Sequence, residues 1–486
     1  MTLPAMDMHT LLGVTNLKLK YPGDAPLVFD GLSLSFRQGE KALLLGPSGC
    51  GKSTLLQVLT GIVPHSVELP MKCDAVHRPE RWGYVFQDPD AQFCMPYVDE
   101  ELAFVLENRA VPRDAMPELI RRYLALVGLN LDDPHTPIQR LSQGMKQRLA
   151  LASALALEPE ALLLDEPTAL LDPEGTEQVW EAVRRTAADK TVLIVEHKID
   201  GILDFVDRVV VFTPEGRILA DGAPADVFAA HRAALDEYGI WHPGAWEAFP
   251  RFGGARSLVE AGGAPRLALR DFAGYRAGGR TVIAAPLAEA APGDWIAVTG
   301  KNGAGKSSLL LSIMRLLRTS GECVVDGAFG RRPEDVAARA AFVFQNPEFQ
   351  FVADSVEDEI AYSLERPDPA AVESLLAFFD LTPLRRRHPY QLSTGQKRRL
   401  SVAGALARGQ RLLLLDEPTF GLDARSTMRL LEMLERLRGE GAAIVMVTHD
   451  PEIVRRCCNK VWHVEDGRVT VAEKEALGHG MVVPAS

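Results

Sequence analysis

No stretch of this sequence is apolar for long enough to cross a bilayer. The roughly 20 residues that a spanning helix needs are not approached, and the strongest candidates are short strand-like runs such as 442–447. A secretory leader is missing as well: the start, MTLPAMDMHTLL, has no basic segment followed by a long apolar one, so the chain is expected to stay in the cytoplasm. Positive charge is in deficit, with 53 Lys and Arg against 65 Asp and Glu and a formal charge of -12. That argues against a general nucleic-acid binder, which needs a basic reservoir to displace counterions. The six cysteines (Cys50, Cys73, Cys94, Cys323, Cys457 and Cys458) form no CxxC pair, and the adjacent Cys457 and Cys458 are poorly spaced for a metal. Reduced, structural thiols are the expectation.

What is present is a duplication. The 486 residues, 47% hydrophobic and 24% charged, suit a soluble globular chain of two or three domains of roughly 100 to 200 residues each. LSQGMKQRLALASALALEPEALLLDEPTALLD at 141–172 returns at 392–423 as LSTGQKRRLSVAGALARGQRLLLLDEPTFGLD. Lys52 and Lys306 are 254 residues apart, Gln87 and Gln345 258, Glu166 and Glu417 251, and His197 and His449 252. A common order with nearly constant offsets means two copies of one unit.

In the first copy, 11–21 and Leu27–Arg37 read as antiparallel strands around YPGDAP, followed by the buried-strand pattern KALLLG, a Gly-rich loop at 46–54 and a helix to about Gly61. Residues 64–79 read as polar and irregular, 82–87 as a strand and 98–128 as helical. Ala161–Asp165 and 191–196 are apolar on both faces, as central parallel strands are, and 209–213 with 217–221 form a hairpin. The pattern weakens over 225–265, where WHPGAWEAFPRFGG suggests an ordered connector with aromatic anchors. The second copy repeats the order and ends in a hairpin at 461–464 and 468–471. The expected fold is α/β: two tandem phosphate-loop NTPase domains at 1–230 and 265–475, a connector at 231–264 and a tail at 476–486.

GxxxxGK[ST] between a strand and a helix is a phosphate loop. It occurs with Gly46, Ser48, Gly49, Gly51, Lys52, Ser53 and Thr54, and again with Gly300, Asn302, Gly303, Gly305, Lys306, Ser307 and Ser308. Glycines let backbone N–H groups converge on phosphate oxygens, Lys reaches the β- and γ-phosphates, and the Ser hydroxyl takes Mg2+. Asp165 and Asp416 end apolar strands where such an ion is held, and Glu166 and Glu417 follow them, placed to polarise the attacking water. His197 and His449 are candidates to sense the γ-phosphate, and Gln87 and Gln345 to bridge the ion or the water. Tyr21 and, more loosely, Tyr275 sit where a ring could stack on a base. The predicted cofactors are ATP and Mg2+.

These segments resemble the ATP-binding subunits of ABC transporters, with two nucleotide-binding domains fused in one chain, over 11–225 and 267–471. LSQGM and LSTGQ are similar to the ABC signature LSGGQ, altered at Gln143, Met145 and Thr394. The resemblance implies ABC-type domains, each with a mostly parallel sheet core, an antiparallel β subdomain and a helical subdomain. It also implies head-to-tail pairing, with Ser393 and Gly395 completing the site of Lys52, and Ser142 and Gly144 completing that of Lys306. Asp172 and Asp423 match the family's site-connecting loop; simple helix N-capping ahead of Pro173 or Ala424 is the alternative, and both roles can coexist.

VFQDPDAQFCMPYVDEELAFVLEN and VFQNPEFQFVADSVEDEIAYSLE look like the energy-coupling factor (ECF) type of vitamin and metal importer. There the segment forms a groove for a membrane T component, which Gln92 and Gln350, with Asp99/Glu100 and Asp358/Glu359, would line or support. The implied partners are that T component and a small substrate-binding membrane protein, and the implied location is the cytoplasmic face of the membrane, with no direct nucleic-acid binding. A soluble tandem-domain ATPase acting on ribosomes or nucleic acid, and the ATPase of another ABC transporter class, remain the alternatives.

Overall fold

The computed structural model describes residues 10–473, except 24–25, 170, 200, 248, 251–263, 277, 365 and 367. The later part of the expected connector and the 476–486 tail lie outside the described residues. Two compact units divide the chain, Met1–Ala245 and Trp246–Ser486.

The first unit is built on a six-stranded sheet in the order Ile218–Gly222, Arg208–Phe212, Lys41–Leu45, Thr191–Val195, Ala161–Asp165, Trp82–Val85. Its strands run parallel except Ile218–Gly222, which closes the predicted hairpin antiparallel to Arg208–Phe212. The continuous apolar runs have a simple cause, since both faces of this sheet are covered. In Ala161–Asp165, Leu162 and Leu164 enter a core shared with helices, while Ala161 and Leu163 enter a second core under the antiparallel sheet. Leu412–Asp416 of the second unit divides in the same way, with Leu413 and Leu415 on one face and Leu412 and Leu414 on the other.

Thr10–Lys20 and Leu27–Arg37 pair antiparallel, as do Leu267–Tyr275 and Thr281–Ala290. In the second unit this subdomain joins the core sheet through one parallel pair, Ala284 with Arg468, giving a single ten-stranded sheet. The helical subdomains carry Val98–Asn108 and Met116–Leu126, and Val356–Tyr362 and Pro369–Phe378.

Two readings change. Residues 64–79, expected to be irregular, contain the short strands Met71–Lys72 and Ala75–His77, both paired with Thr10–Lys20. An edge strand has unpaired N–H and C=O groups, and a polar segment can satisfy them without any apolar period to announce it. The second change is the helix Pro224–Tyr238, which runs through residue 230, where the sequence suggested that the first domain ends. It has a non-helical residue, His231 (φ -117°), that throws the apolar positions out of phase, and it stops at Gly239 in the left-handed conformation. Val227, Leu235 and Ile240 bury in the first unit's core. The second unit begins beyond it, at Trp246, and within that unit Trp246 and Phe249 meet edge to face at 5.6 Å and the Phe249 carbonyl accepts from Arg456 (2.9 Å).

Leu235 is fully buried, so Leu235→Ala is expected to destabilise the chain by about 2–4 kcal/mol in denaturant unfolding. A change within about 0.5 kcal/mol, the usual surface value, would mean that this helix is connector rather than core.

Candidate active sites

Each phosphate loop leaves a buried strand and turns at glycines whose φ is positive: Gly46, Gly49 and Gly51 in the first unit, Gly300, Gly303 and Gly305 in the second. At Gly51 the need is also steric, since a Cβ there would lie 2.6 Å from Val28 Cγ1 and 2.7 Å from Phe29 Cζ. A Cβ on Gly300 would lie 2.1 Å from the Val464 carbonyl oxygen. The helices Lys52–Thr60 and Lys306–Ile313 start directly after these loops, so their free N–H groups face the loop. The lysines are buried and curl over the loops. Lys52 Nζ donates to the Gly46 and Pro47 carbonyls (2.7 and 3.0 Å), and Lys306 Nζ to those of Gly300 and Lys301 (2.8 and 2.9 Å). Asn302 Oδ1 lies 3.4 Å from Lys306 Nζ. Ser48 and Gly49 are exposed at the first loop's tip, while Thr54 and Ser308 are buried one turn into the helices. Tyr21 stands beside the first loop, its hydroxyl 2.6 Å from Thr54 Oγ1 and its ring half-exposed. Tyr275 is placed differently, with its hydroxyl 2.9 Å from Ser320 Oγ.

The paired carboxylates separate because the backbone turns between them. Asp165 and Asp416 complete their strands, while Glu166 and Glu417 adopt left-handed φ values of 49° and 50°. Such a value is uncommon for a residue with a side chain and is retained where the surroundings over-determine it. Here Glu166 N–H bonds to the Val195 carbonyl and Glu417 N–H to that of Val447.

Asp165 therefore points at the phosphate-loop helix, accepting from Ser53 Oγ and from the Tyr84 phenol (both 2.8 Å). Burial raises its pKa, against the pull of these two bonds. Glu166 points elsewhere, with Gln87 Nε2 donating to Oε2 (2.8 Å) and His197 Nε2 3.1 Å from Oε1. Burial works to raise Glu166 too, but His197 and Lys52 outweigh it and hold the carboxyl below its ordinary value.

In the second unit burial pushes Asp416 up to about 6, with Ser307 pulling the other way. Its Oδ1 is buried with no hydrogen-bond partner. Glu417 is again depressed, burial being outweighed by His449 and Lys306, with His449 Nε2 3.3 Å from its Oε1. Gln345 is exposed and its side chain does not bond Glu417. A Ser hydroxyl beside a buried carboxylate with an unmatched oxygen is a donor set that fits Mg2+, a hard ion taking oxygen ligands.

The signature serines cap helices. Ser142 Oγ accepts from Met145 N–H at the start of Gln143–Ala156, and Ser393 Oγ from Gln396 N–H at the start of Thr394–Leu406. Gln396 returns the bond to Ser393 N–H (3.0 Å), a reciprocal contact that Met145 cannot make. Gly144 and Gly395 lie in these first turns, and none of the four residues bonds the phosphate loop of its own unit. Asp172 and Asp423 are N-caps, accepting from Gly175 N–H (2.8 Å) and Ser426 N–H (2.7 Å).

Gln92 and Gln350 are turned inward. Gln92 takes Phe86 N–H and donates to the Ala150 carbonyl, while Gln350 donates to the Ser401 carbonyl and accepts from its hydroxyl. They fasten the segment to the helix behind it. The carboxylates that organise this loop are Glu101 and Glu359, each accepting two successive backbone N–H groups. The sequence reading named Glu359 in the second copy but Asp99 and Glu100 in the first, one position early. Asp99 instead meets His135 (3.1 Å).

Three contributors escaped the sequence reading. Tyr84 differs from its counterpart Phe342, Gln147 from Arg398, and Glu196 from Thr448. Comparing the two copies position by position, rather than collecting their identities, would have exposed all three. Glu196 is fully enclosed and pushed up to about 7 by burial, although Thr168 N–H, Thr168 Oγ1 and His197 N–H all donate to it.

Two phosphate-loop sites, each backed by an Asp–Glu pair and a His, define a nucleoside-triphosphatase with duplicated catalytic units. Residues 29–169 and 288–420 match the ABC transporter family, and the chain belongs to that family as an ATP-binding subunit and an ATPase. It is 34% identical over 501 residues to a putative HMP/thiamine import ATP-binding protein of Bacillus subtilis (strain 168), covering 94% of this chain and 90% of that one. A putative ABC transporter ATP-binding protein of Methanosarcina acetivorans is 31% identical over 532 residues, covering 96% and 86%. Among solved structures, an archaeal ribosome recycling factor, determined with a ribosomal stalk protein, superposes with a TM-score of 0.65 over 94% of this chain and 90% of that one. At 18% identity that likeness shows the fold alone.

Glu196 carries a pH signature. Between its ordinary value of 4.5 and about 7 the folded chain holds a proton that the unfolded chain has lost, so stability falls as pH rises through this window. The stability of Glu196→Gln relative to the unchanged chain should therefore climb from about pH 5 to pH 7, by at most about 1.4 kcal/mol per unit, and level off above. Urea unfolding at several pH values reads this directly, and a pH-independent difference would contradict it.

Proposed function

We propose that this chain is the energy-coupling ATPase of an ECF-type importer for a vitamin, a vitamin precursor or a transition-metal ion. It would work at the cytoplasmic face of the membrane through a T component, with a small substrate-binding membrane protein as the third part. The observation that carries this reading is the similarity, along almost the whole chain, to a protein named for HMP/thiamine import. The two xFQxPxxQ segments support it, since each is stiffened from inside by a Gln and a buried Glu, and the second leaves the apolar Phe349 and Val352 exposed to bear on a partner. Among the described residues no helix is long and apolar enough to cross a membrane, so transport would require membrane partners.

In this reading the loop N–H groups with Lys52 or Lys306 bind the phosphates, and Tyr21 offers its ring to the base. Ser53, Asp165 and Gln87 would hold Mg2+ in one site and Ser307, Asp416 and Gln345 in the other, and the ion would neutralise charge on the phosphate oxygens. Glu166 and Glu417 accept the proton of the attacking water. Their depressed pKa values keep them ionised for that task. His197 and His449 orient these carboxylates and report the γ-phosphate. The exposed Ser142 and Ser393 hydroxyls retain a proton to donate, and we assign each, with Gly144 or Gly395, to the nucleotide bound by the other unit's lysine. Asp172 and Asp423 would tie the two events together.

Glu166→Gln with Glu417→Gln should preserve ATP binding and lower steady-state hydrolysis by about 100-fold or more; near-normal hydrolysis would remove the role given to these residues. Tagged chain recovered from membranes should bring two small membrane proteins with it, as identified by mass spectrometry. Ribosomal or nucleic-acid partners in their place would overturn the importer reading.

A further inference from the structure

The two sites hold the same catalytic residues on different supports. In the first unit the Tyr84 phenol bonds Asp165 Oδ2 (2.8 Å). The buried Gln147 donates to the Phe86 carbonyl (3.1 Å), Gln92 receives Phe86 N–H, and Gln87 reaches Glu166. In the second unit Phe342 has no hydroxyl to offer, and Asp416 Oδ1 is left buried without a partner. Gln350 is committed to Ser401 through both amide atoms. Where the first unit has Gln147, the second has Arg398, only 3% exposed, whose guanidinium donates to both the Phe344 carbonyl (2.7 Å) and the Gln345 carbonyl.

Burying a guanidinium is costly unless its donors are met and an opposite charge is near. Here two carbonyls take the terminal nitrogens of the fork and the carboxylates of Asp416 and Glu417 favour the charged form, while Nε is buried without a partner and burial lowers the pKa of Arg398 to about 10. A Gln side chain cannot span two successive carbonyls while also bringing positive charge.

We propose that Arg398 is a positioning residue of the second ATPase site. It fixes the end of the Ala340–Val343 strand and the backbone of Gln345, and it brings a cation to bear on Asp416 and Glu417 where the first unit has the neutral Gln147 and the Tyr84 phenol. The second site is thus charge-supported and the first hydrogen-bond-supported. This rests on Glu417 activating water, as assigned above.

The test uses full-length chain carrying Glu166→Gln, so that hydrolysis reports the second site. Adding Arg398→Gln is expected to lower kcat about tenfold and leave KM for ATP within about twofold, because Lys306 and its loop are untouched. Adding Phe342→Tyr to that protein should then recover most of the loss. Tyr84 pairs with Leu163 and Phe342 with Leu414, each two residues before the strand-end Asp, so the new phenol would approach Asp416 from the strand position from which Tyr84 reaches Asp165. An unchanged kcat, or a fall in kcat with a matching rise in KM that Phe342→Tyr does not reverse, overturns the proposal. If Arg398→Gln does not fold, Arg398→Lys, which keeps the charge but not the fork, should lose about threefold or more in kcat, and full activity there is equally fatal. Adding Glu417→Gln to the same background separates the two claims: hydrolysis that survives it removes the assignment of Glu417, and Arg398's with it, whereas abolished hydrolysis beside a fully active Arg398→Gln removes only Arg398's.

Discussion

A carboxylate at the end of a strand buried on both faces must find hydrogen bonds or an opposite charge, since its desolvation otherwise costs several kcal/mol. Asp165 and Asp416 are in that position, and much of each unit's interior is arranged around them. The sheet order brings Thr191–Val195 and Ala443–Val447 alongside, so that His197 and His449 arrive from the neighbouring strands. The left-handed turn at Glu166 and Glu417 sends the second carboxylate to those histidines and leaves the first facing the phosphate-loop serine. Consecutive acidic residues thus acquire different environments and opposite displacements in pKa: Asp165 and Asp416 up, Glu166 and Glu417 down.

Duplication kept this backbone and let its supports drift. A phenol bonds the first Asp, whereas the second keeps one oxygen unpartnered and has a buried arginine acting on it. Glu196 follows the same logic. It adds a buried acid beside His197 and is met by three donors from Thr168 and His197, while its counterpart Thr448 accepts only a local bond from Asp450 N–H. Such differences do not alter the phosphate loop or the Asp–Glu pair, and they sit where they can alter how each site responds to pH and to substitution.

The outer segment that carries the proposed partner surface is built by internal satisfaction of polar groups. Glu101 and Glu359 each gather two backbone N–H groups, and Gln92 and Gln350 pin the segment to the signature-bearing helix. One rigid path of hydrogen bonds therefore runs from the surface loop to the helix capped by Ser142 or Ser393. A force applied at the loop would be felt at the signature.

The sequence by itself determined the duplication, the family and most of the order of elements, because these depend on local requirements. Gly46 and Gly300 need positive φ, the leucine runs need two covered faces, and Lys52 and Lys306 need a loop of glycines before a helix. It failed where the signal was non-local or out of phase, as in the edge pairing of 71–77 and the kinked helix through His231. Only the tertiary structure decided which carboxylate faces the phosphate-loop serine and which faces the histidine, that Gln92 and Gln350 point inward, and that Glu101 rather than Asp99 is the buried acid. Those outcomes depend on distances between segments far apart in the chain, and no spacing in one segment encodes a contact with another.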